Sequence, residues 1–517
     1  MRDWLYGLIL LVVTTAVALV GLRLTKSVRS DEDAARVLSK SEKAAEAEAI
    51  DAKILAREPT VPHVLELADA HHRAKAAVMV YELHLDKDQG KRRPKAPMSD
   101  EALEAIVASL PPDVSLIGRF AIGDEGARAA LEVGAAREPP IPWANHALAG
   151  DARASGDPMR AATLYFREAA SFPGKHDLEA GFACLATAGA WDEIRARLGM
   201  LDPEVAPLVR YELALHDRDW RGAVRELPSM YASRFSPRFV WLSVVAAIAW
   251  GFFCARLGKV GERPRFRVPL YVLAFALGVA SVAPTFVLIA IEEAKLHLVE
   301  TGEKGRDALF FVFGVGLREE LSKVLLFLPL VPILRRWGTK LDVLACGAMV
   351  GLGFAAEENL SYLADENLHT GLGRFLTANF LHMAMTGILA SATFDLIDDP
   401  EEHAQDFMRA SLLVVGLHGA YDFMIAHDEL GGGYVAMGVF VVLAKKFLDT
   451  VEAARKKADR VITPMRAFIG ALAVVTGASL AHAIATVGPW FGTTAMAEGV
   501  LGEAIIVMVF ARVLQSM

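Results

Sequence analysis

Ten apolar segments, each about as long as a bilayer is thick, constrain this chain more than any other feature. A helix crosses the hydrocarbon core with roughly 20 mostly apolar residues. One such run, Trp4 to Leu22, stands alone near the N-terminus. Nine more crowd the C-terminal half, at about 239–257, 268–291, 308–334, 342–362, 375–395, 408–426, 432–449, 465–487 and 490–512. Backbone polar groups in lipid must pair within their own segment, so these runs are helices. The expected fold is all-α: a polytopic helical membrane bundle of about nine spans plus an N-terminal anchor span, joined to an extramembrane helical domain. With 54% hydrophobic and 22% charged residues in 517, the composition excludes a disordered chain. A net charge of −8 gives no basic field for nucleic acid. Cys184, Cys254 and Cys346 read as buried free thiols.

Orientation is set by basic residues, which are retained on the cytoplasmic side. Arg256, Lys259, Arg263, Arg265 and Arg267 share one loop; Arg335, Arg336 and Lys340 share another; Lys445 to Arg466 form a third basic stretch. All three fall on one side, which places the C-terminus inside and residues 26–235 in an extracytoplasmic position. Arg23, Lys26 and Arg29 after the first span argue locally the other way. Ala16-Val17-Ala18 also offers a signal-peptidase site, so residues 1–25 read as an anchor or a signal, the anchor being preferred.

Residues 26–140 read as a polar helical stalk and then extramembrane helices, with a charged turn from Asp86 to Pro97. From Asn145 to Pro173, the spacing of Leu148, Ala149, Ala152, Gly156, Ala161, Tyr165 and Pro173 is similar to a tetratricopeptide repeat, a helix pair of about 34 residues. Gly189-Ala190-Trp191-Asp192 and Arg218-Asp219-Trp220 repeat the turn in degraded form. A tetratricopeptide-like solenoid over 141–235 is expected, and such stacks bind proteins or peptides through a concave face.

Ionisable residues within spans cost about 2.5–3.5 kcal/mol each on insertion scales and mark function by default. Here four spans carry them: Arg318-Glu319-Glu320-Leu321-Ser322-Lys323, then Phe354-Ala355-Ala356-Glu357-Glu358-Asn359, then His382, then His418-Gly419-Ala420-Tyr421-Asp422. Residues three or four apart share a helix face, so Lys323 reaches Glu319 or Glu320, and Asp422 reaches His418. His482, Glu498 and Glu503 in the last two spans have no matching motif and read as packing or helix-end residues.

This order of motifs resembles the PrsW family of intramembrane proteases, relatives of the CAAX prenyl endopeptidases. The resemblance covers 236–450, and the spans in 451–517 lie beyond it. It implies an intramembrane endopeptidase acting on single-span, membrane-anchored regulators such as anti-sigma factors. It also implies Glu319, Glu320, Glu358, His382 and His418 as catalytic residues, with Lys323, Glu357, Asn359 and Asp422 in support. Two chemistries stay open. Either Glu319 or Glu320 activates water without a cofactor, with His382 or His418 and Asn359 holding the oxyanion, or zinc sits on His382, His418 and Glu358 with a first-motif glutamate as the base. A non-catalytic scaffold or sensor working through the repeat domain is the alternative of another class.

Overall fold

A computed structural model describes residues 2–494 apart from 25–30, 41–42, 84–93, 174, 202–205, 235–236, 364–376, 428–431 and 456–462, together with 496, 497 and 514. Its elements are α-helices joined by short 3-10 and π-helical pieces, with no strand among the described residues. In chain order the helices are α1 (Arg2–Leu24), α2 (Asp31–Lys40), α3 (Ala44–Arg57), α4 (Val61–Leu83), α5 (Asp100–Ala108), α6 (Pro112–Ala121), α7 (Glu125–Ala136), α8 (Ala144–Ala154), α9 (Pro158–Ser171), α10 (Lys175–Thr187), α11 (Trp191–Arg197) and α12 (Ala206–His216). They continue with α13 (Trp220–Arg234), α14 (Pro237–Leu257), α15 (Pro264–Ala280), α16 (Val282–Ile291), α17 (Lys304–Leu309), α18 (Leu317–Phe327), α19 (Val331–Trp337), α20 (Lys340–Leu363), α21 (Ala378–Asp398), α22 (Pro400–Ala426), α23 (Gly432–Arg455) and α24 (Pro464–Val487). Contacts divide the chain into Arg29–Leu213 and a unit of Met1–Val28 with Ala214–Met517. That division falls before the turn at Arg218, about twenty residues earlier than the boundary expected from sequence.

In the Arg29–Leu213 unit, the expected stalk is instead two packed helices. Ala34, Val37 and Leu38 of α2 and Ala44, Ala47, Ile54 and Leu55 of α3 are buried, because small and branched side chains recur on one face of each helix. A polar cluster ties α3 to α4 and α5: His71 bonds Glu48 at 2.6 Å and Asp100 at 2.9 Å, and Lys75 also holds Asp100. Further on, the helix pairs α6–α7, α8–α9 and α10–α11 turn in the same way. Gly123, Gly156 and Gly189 each adopt positive φ, and the next residue's N–H reaches back to Arg119, Ala152 and Leu185 respectively. These are Schellman closures spaced 33 residues apart. The turn at Arg218 repeats the closure with Asp219 and Ala214. The Gly123-Asp124 copy is not evident from the sequence pattern alone, although Gly-Asp recurs at 156–157.

In the membrane unit, five helical segments among the described residues are long and apolar enough by composition alone to cross a bilayer: Leu5–Leu22, Val240–Leu257, Pro264–Leu296, Ala378–Asp398 and Pro464–Val487. Further helices that line the same bundle carry the ionisable motifs, which dilute their hydropathy. The expected span at 490–512, with Glu498 and Glu503, lies largely outside the described residues. The three basic stretches meet at one end of the bundle. Arg267 pairs with buried Asp342 at 2.6 Å, Arg263 donates to the Trp337 carbonyl, Lys259 to that of Arg455, and Arg455 to those of Arg256 and Leu257. Helix α24 starts at this same end, because it runs antiparallel to α14: Phe468 stacks near Phe253 and His482 near Trp241.

Helix α1 packs along α24 in parallel, with Gly7 against Ile469 and Gly477 against Leu11 and Thr15. The Thr15 hydroxyl donates to the carbonyls of Leu11 at 2.8 Å and Gly477 at 3.3 Å. Its other face, from Leu5 through Ile9, Val13 and Val17 to Val20, is exposed, as a lipid-facing helix requires. Parallel packing puts Leu24 at the end of the bundle opposite the basic loops.

An α1 seated on α24 is expected to persist in the purified protein, so intact mass should include residues before Ala18; a mass starting after Ala18 would contradict it. In the Arg29–Leu213 unit, burial and then the neighbouring Glu66 push Asp51 up from 3.8 to about 7. The folded state therefore keeps a proton that the unfolded chain releases from about pH 4, and stability falls as pH rises toward 7. Asp51→Asn should raise the temperature at which this unit becomes protease-sensitive at pH 8 and leave it unchanged at pH 4.

Candidate active site

Helix α18 is inside out. Leu317, Leu321 and Leu325 are exposed, whereas Arg318, Glu319, Glu320, Ser322 and Lys323 are buried. In water this arrangement would forfeit both hydrophobic burial and charge solvation. In lipid it is the favourable one, provided that every charge finds a partner.

The partners are there. The Lys323 ammonium, fully buried, contacts Glu320 Oε1 at 2.8 Å, His382 Nδ1 at 2.9 Å and Glu319 Oε2 at 3.4 Å. Its three protons thus meet three acceptors, and the Phe354 ring lies 4.0 Å beneath it. Glu320 is held on both oxygens: His418 Nδ1 at 3.0 Å shares Oε1 with Lys323, and the Thr386 hydroxyl donates to Oε2 at 3.3 Å. His382 Nε2 faces Glu358 at 3.0 Å. His418 Nε2 faces Asp422 at 3.3 Å and Glu319 at 3.6 Å, and the two imidazole rings stand 5.3 Å apart. Arg318 leaves the cluster to pair with Glu292 at 2.6 Å.

Close backbone crossings set this geometry. The Gly351 position on α20 lies against the His382 carbonyl of α21, and Gly419 on α22 lies against Phe311 and Val312. In each case a side chain would occupy the neighbour's backbone. The seven residues Phe310–Gly316 wind as a π-helix just before α18. Such a wide turn shifts the register of the helix after it and is frequent at functional sites.

Exposure grades through the cluster. The side chains of Glu320 and Lys323 are 0% exposed, Glu319 10%, Glu358 20% and Asp422 28%. Glu358 and Asp422 lie within two turns of the ends of α20 at Leu363 and α22 at Ala426. Water therefore meets Glu358, Asp422 and Glu319 first, and Glu320 is sealed behind them.

Not every residue expected here arrives. Glu357 faces away, because consecutive helical residues point about 100° apart. It lines an apolar cavity of 510 Å³ between α14 and α15, with Ser243, Ile248 and Phe275, and its Oε1 is buried with no hydrogen-bond partner among the described residues. Asn359 is buried and donates to Asn379 Oδ1 at 3.0 Å. His482 sits beside Trp241, a packing position. Thr386 and Asn379 are additions that the motifs do not name; they lie four residues after and three before His382, on its own face of α21, and that spacing is the available signal.

For a metal ion, the donors that come within 4.8 Å of one another are Glu319, His382 and His418. Glu319 thus stands where Glu358 was expected. Two imidazoles and one carboxylate make a donor set known from catalytic zinc sites, and Glu320 on His418 Nδ1 is the kind of outer partner that orients such a ligand. His418 Nε2, facing two carboxylates, needs a positive charge before it, either a proton or a cation. One feature opposes a metal: with Lys323 donating to His382 Nδ1, the ring proton sits on Nε2, the atom a metal would take.

The stretch that carries this cluster, residues 267–445, matches the sequence profile of a family described as PrsW family intramembrane metalloprotease. A similar protein is "Protease PrsW" of Clostridioides difficile (strain 630), 25% identical over 173 residues, which cover 32% of this chain and 73% of that protein. Residues 267–445 form a PrsW-family domain. The protein is accordingly a membrane peptide hydrolase. No solved structure matches. All four motif segments lie within the PrsW match, whereas the Arg29–Leu213 unit, α1, α14 and α24 lie outside it.

Two variants probe the geometry. Lys323→Met leaves Glu320 buried without its cation, a change that costs about 3–5 kcal/mol in comparable pairs, so thermal unfolding in detergent should fall markedly. Gly419→Val removes no chemical group, yet should reduce cleavage at least as much as loss of His418, by pushing α22 off Phe311; full activity would show that the close crossing is dispensable.

Proposed function

We propose that the cluster on α18, α20, α21 and α22 hydrolyses peptide bonds of single-span membrane proteins, signalling regulators of the anti-sigma type being the class the family resemblance suggests. The observation that carries this reading is the convergence of Glu319, His382 and His418 from three helices around one small volume, with the more exposed Glu358 and Asp422 at its rim.

Glu320 is a positioning residue. Both its oxygens are engaged, so it fixes His418 through Nδ1 and anchors Lys323, and neither oxygen is left for a catalytic water. Glu319 is the carboxylate beside both imidazoles with partial access to water, and it takes the proton as water attacks the scissile carbonyl. His382, whose Nε2 faces Glu358, and His418, whose Nε2 faces Asp422 and Glu319, stabilise the oxyanion by donating hydrogen bonds. The proton held on Glu319 then passes to the leaving amine. Asn359, bonded to Asn379, supports α21 instead of the oxyanion. A zinc-class ion, held by Glu319, His382 and His418, would supply Lewis-acid polarisation and a more acidic water; Glu358, 3.0 Å from His382, is then the carboxylate placed to accept the proton.

The chain's organisation fits a protease with an outer recognition domain. Basic loops at one end of the bundle mark it as cytoplasmic, and the opposite end of α1 is then extracytoplasmic, which supports an extracytoplasmic position for residues 26–235. The Glu358 and Asp422 ends of their helices face that same outer side, so cleavage occurs near the extracytoplasmic end of the substrate's span. The recurring 33-residue helix pairs are tetratricopeptide-like and dock a protein partner or substrate segment.

Wild type, Glu319→Gln and Glu358→Gln would be expressed with a panel of single-span reporters. Wild-type cleavage that falls at least ~100-fold in Glu319→Gln, within the range for loss of a general base, supports the reading, and equal products from all three would sink it. Metal content of tag-free protein, with activity before and after chelation and zinc return, decides which group accepts the proton. Removing 30–213 should abolish cleavage of the physiological substrate and spare a permissive reporter.

A further inference from the structure

A second group of ligand-type side chains lies in the soluble unit, far along the chain from the membrane motifs. His146 near the start of α8, and His176 and Asp177 at the start of α10, offer ligand atoms all within 4.8 Å of one another. His146 Nδ1 bonds Asp177 Oδ1 at 2.6 Å, and the His146 and His176 rings are 5.5 Å apart. Asp177 is buried, His146 partly buried and His176 exposed.

We propose that His146, His176 and Asp177 form a binding site for a divalent transition metal of the zinc class, which fastens α8 to α10. Imidazole and carboxylate are the ligands such an ion takes, with an open fourth position for water. Donors around tetrahedral zinc stand about 3.4 Å apart at bond lengths near 2.1 Å, so closing the site needs the His146–Asp177 contact, now 2.6 Å, to open and the other donor separations, all within 4.8 Å, to adjust toward that spacing.

The surroundings hold His146 more firmly than an ordinary ion pair requires. The ring is wedged edge-on between Trp143, at 4.9 Å, and Tyr165, at 5.5 Å. Trp143 itself has φ 68°, a conformation rare for a bulky residue. It is kept there by buried Glu168, which accepts from the backbone N–H groups of Trp143 and Asn145 and so caps α8. Backbone strain maintained beside a ligand-type side chain is a recognised mark of function. A His146–Asp177 ion pair alone would need neither the strained turn nor the second imidazole. The positive ends of α8 and α10 disfavour a cation; the carboxylates of Asp177 and Glu168 offset them.

The site joins the first helices of two successive helix pairs, so an ion there stiffens the pair-to-pair packing that sets the domain's curvature. The inference is independent of the membrane chemistry. Its test uses tag-free full-length protein in detergent, titrated with Zn²⁺ by calorimetry and with Co²⁺ by visible absorbance. Wild type should bind one equivalent more than His176→Ala, a change at an exposed position that leaves the fold intact. His418→Ala should retain this equivalent, which separates it from any ion at the membrane cluster. Zn²⁺ should also slow amide exchange in residues 144–154 and 175–187 about tenfold in wild type and not in His176→Ala. Equal stoichiometry in wild type and His176→Ala, or exchange indifferent to Zn²⁺, would overturn the proposal.

Discussion

The buried ammonium of Lys323 is the interaction on which the membrane unit depends. A lone cation within a bilayer is prohibitively costly, yet this one is surrounded by Glu320, Glu319 and His382, with the Phe354 ring below. Those partners come from three helices, so α18, α20 and α21 are bound to assemble in one way. His418 joins through Glu320 and commits α22 as well. The charge network thereby specifies the packing of the spans whose side chains line the site. Hydrophobic burial cannot do so inside lipid, where one apolar face is as good as another.

The same network divides the labour among the carboxylates. Two adjacent glutamates of identical chemistry diverge because Glu320 points into the protein, where Lys323, His418 and Thr386 saturate it, and Glu319 points toward the rim. Adjacent Glu357 and Glu358 diverge in the same manner. One meets His382, and the other turns into an apolar cavity between α14 and α15. Chemical identity made all four carboxylates candidates, and helical phase and depth sort them.

The motif segments were legible from sequence because membrane insertion makes each charge conspicuous against an apolar background. The helix pairs were legible at Gly156 and Gly189 because only a few residue types adopt the left-handed turn. Other features were not. The polar-looking segment at 31–57 folds as a packed hairpin, since its alanines and scattered aliphatics suffice for a narrow buried stripe although the average composition is hydrophilic. Thr386 and Asn379 are ordinary residues in an apolar span until His382 gives their face a purpose. The π-helical stretch before α18 leaves no compositional trace.

What the sequence determined by itself was the medium, the helical class and the inventory of reactive groups: long apolar runs force helices, and charges retained within them must have a use. Which carboxylate meets which imidazole was decided only by the tertiary structure. Glycine-mediated crossings at Gly351 and Gly419 bring residues some 60 to 100 positions apart to within hydrogen-bond reach, so Glu319 comes within 4.8 Å of ligand atoms on both histidines while Glu358 meets His382. Such pairings depend on helix rotation and depth to within a few ångströms, and residue spacing within a single helix carries no information about either.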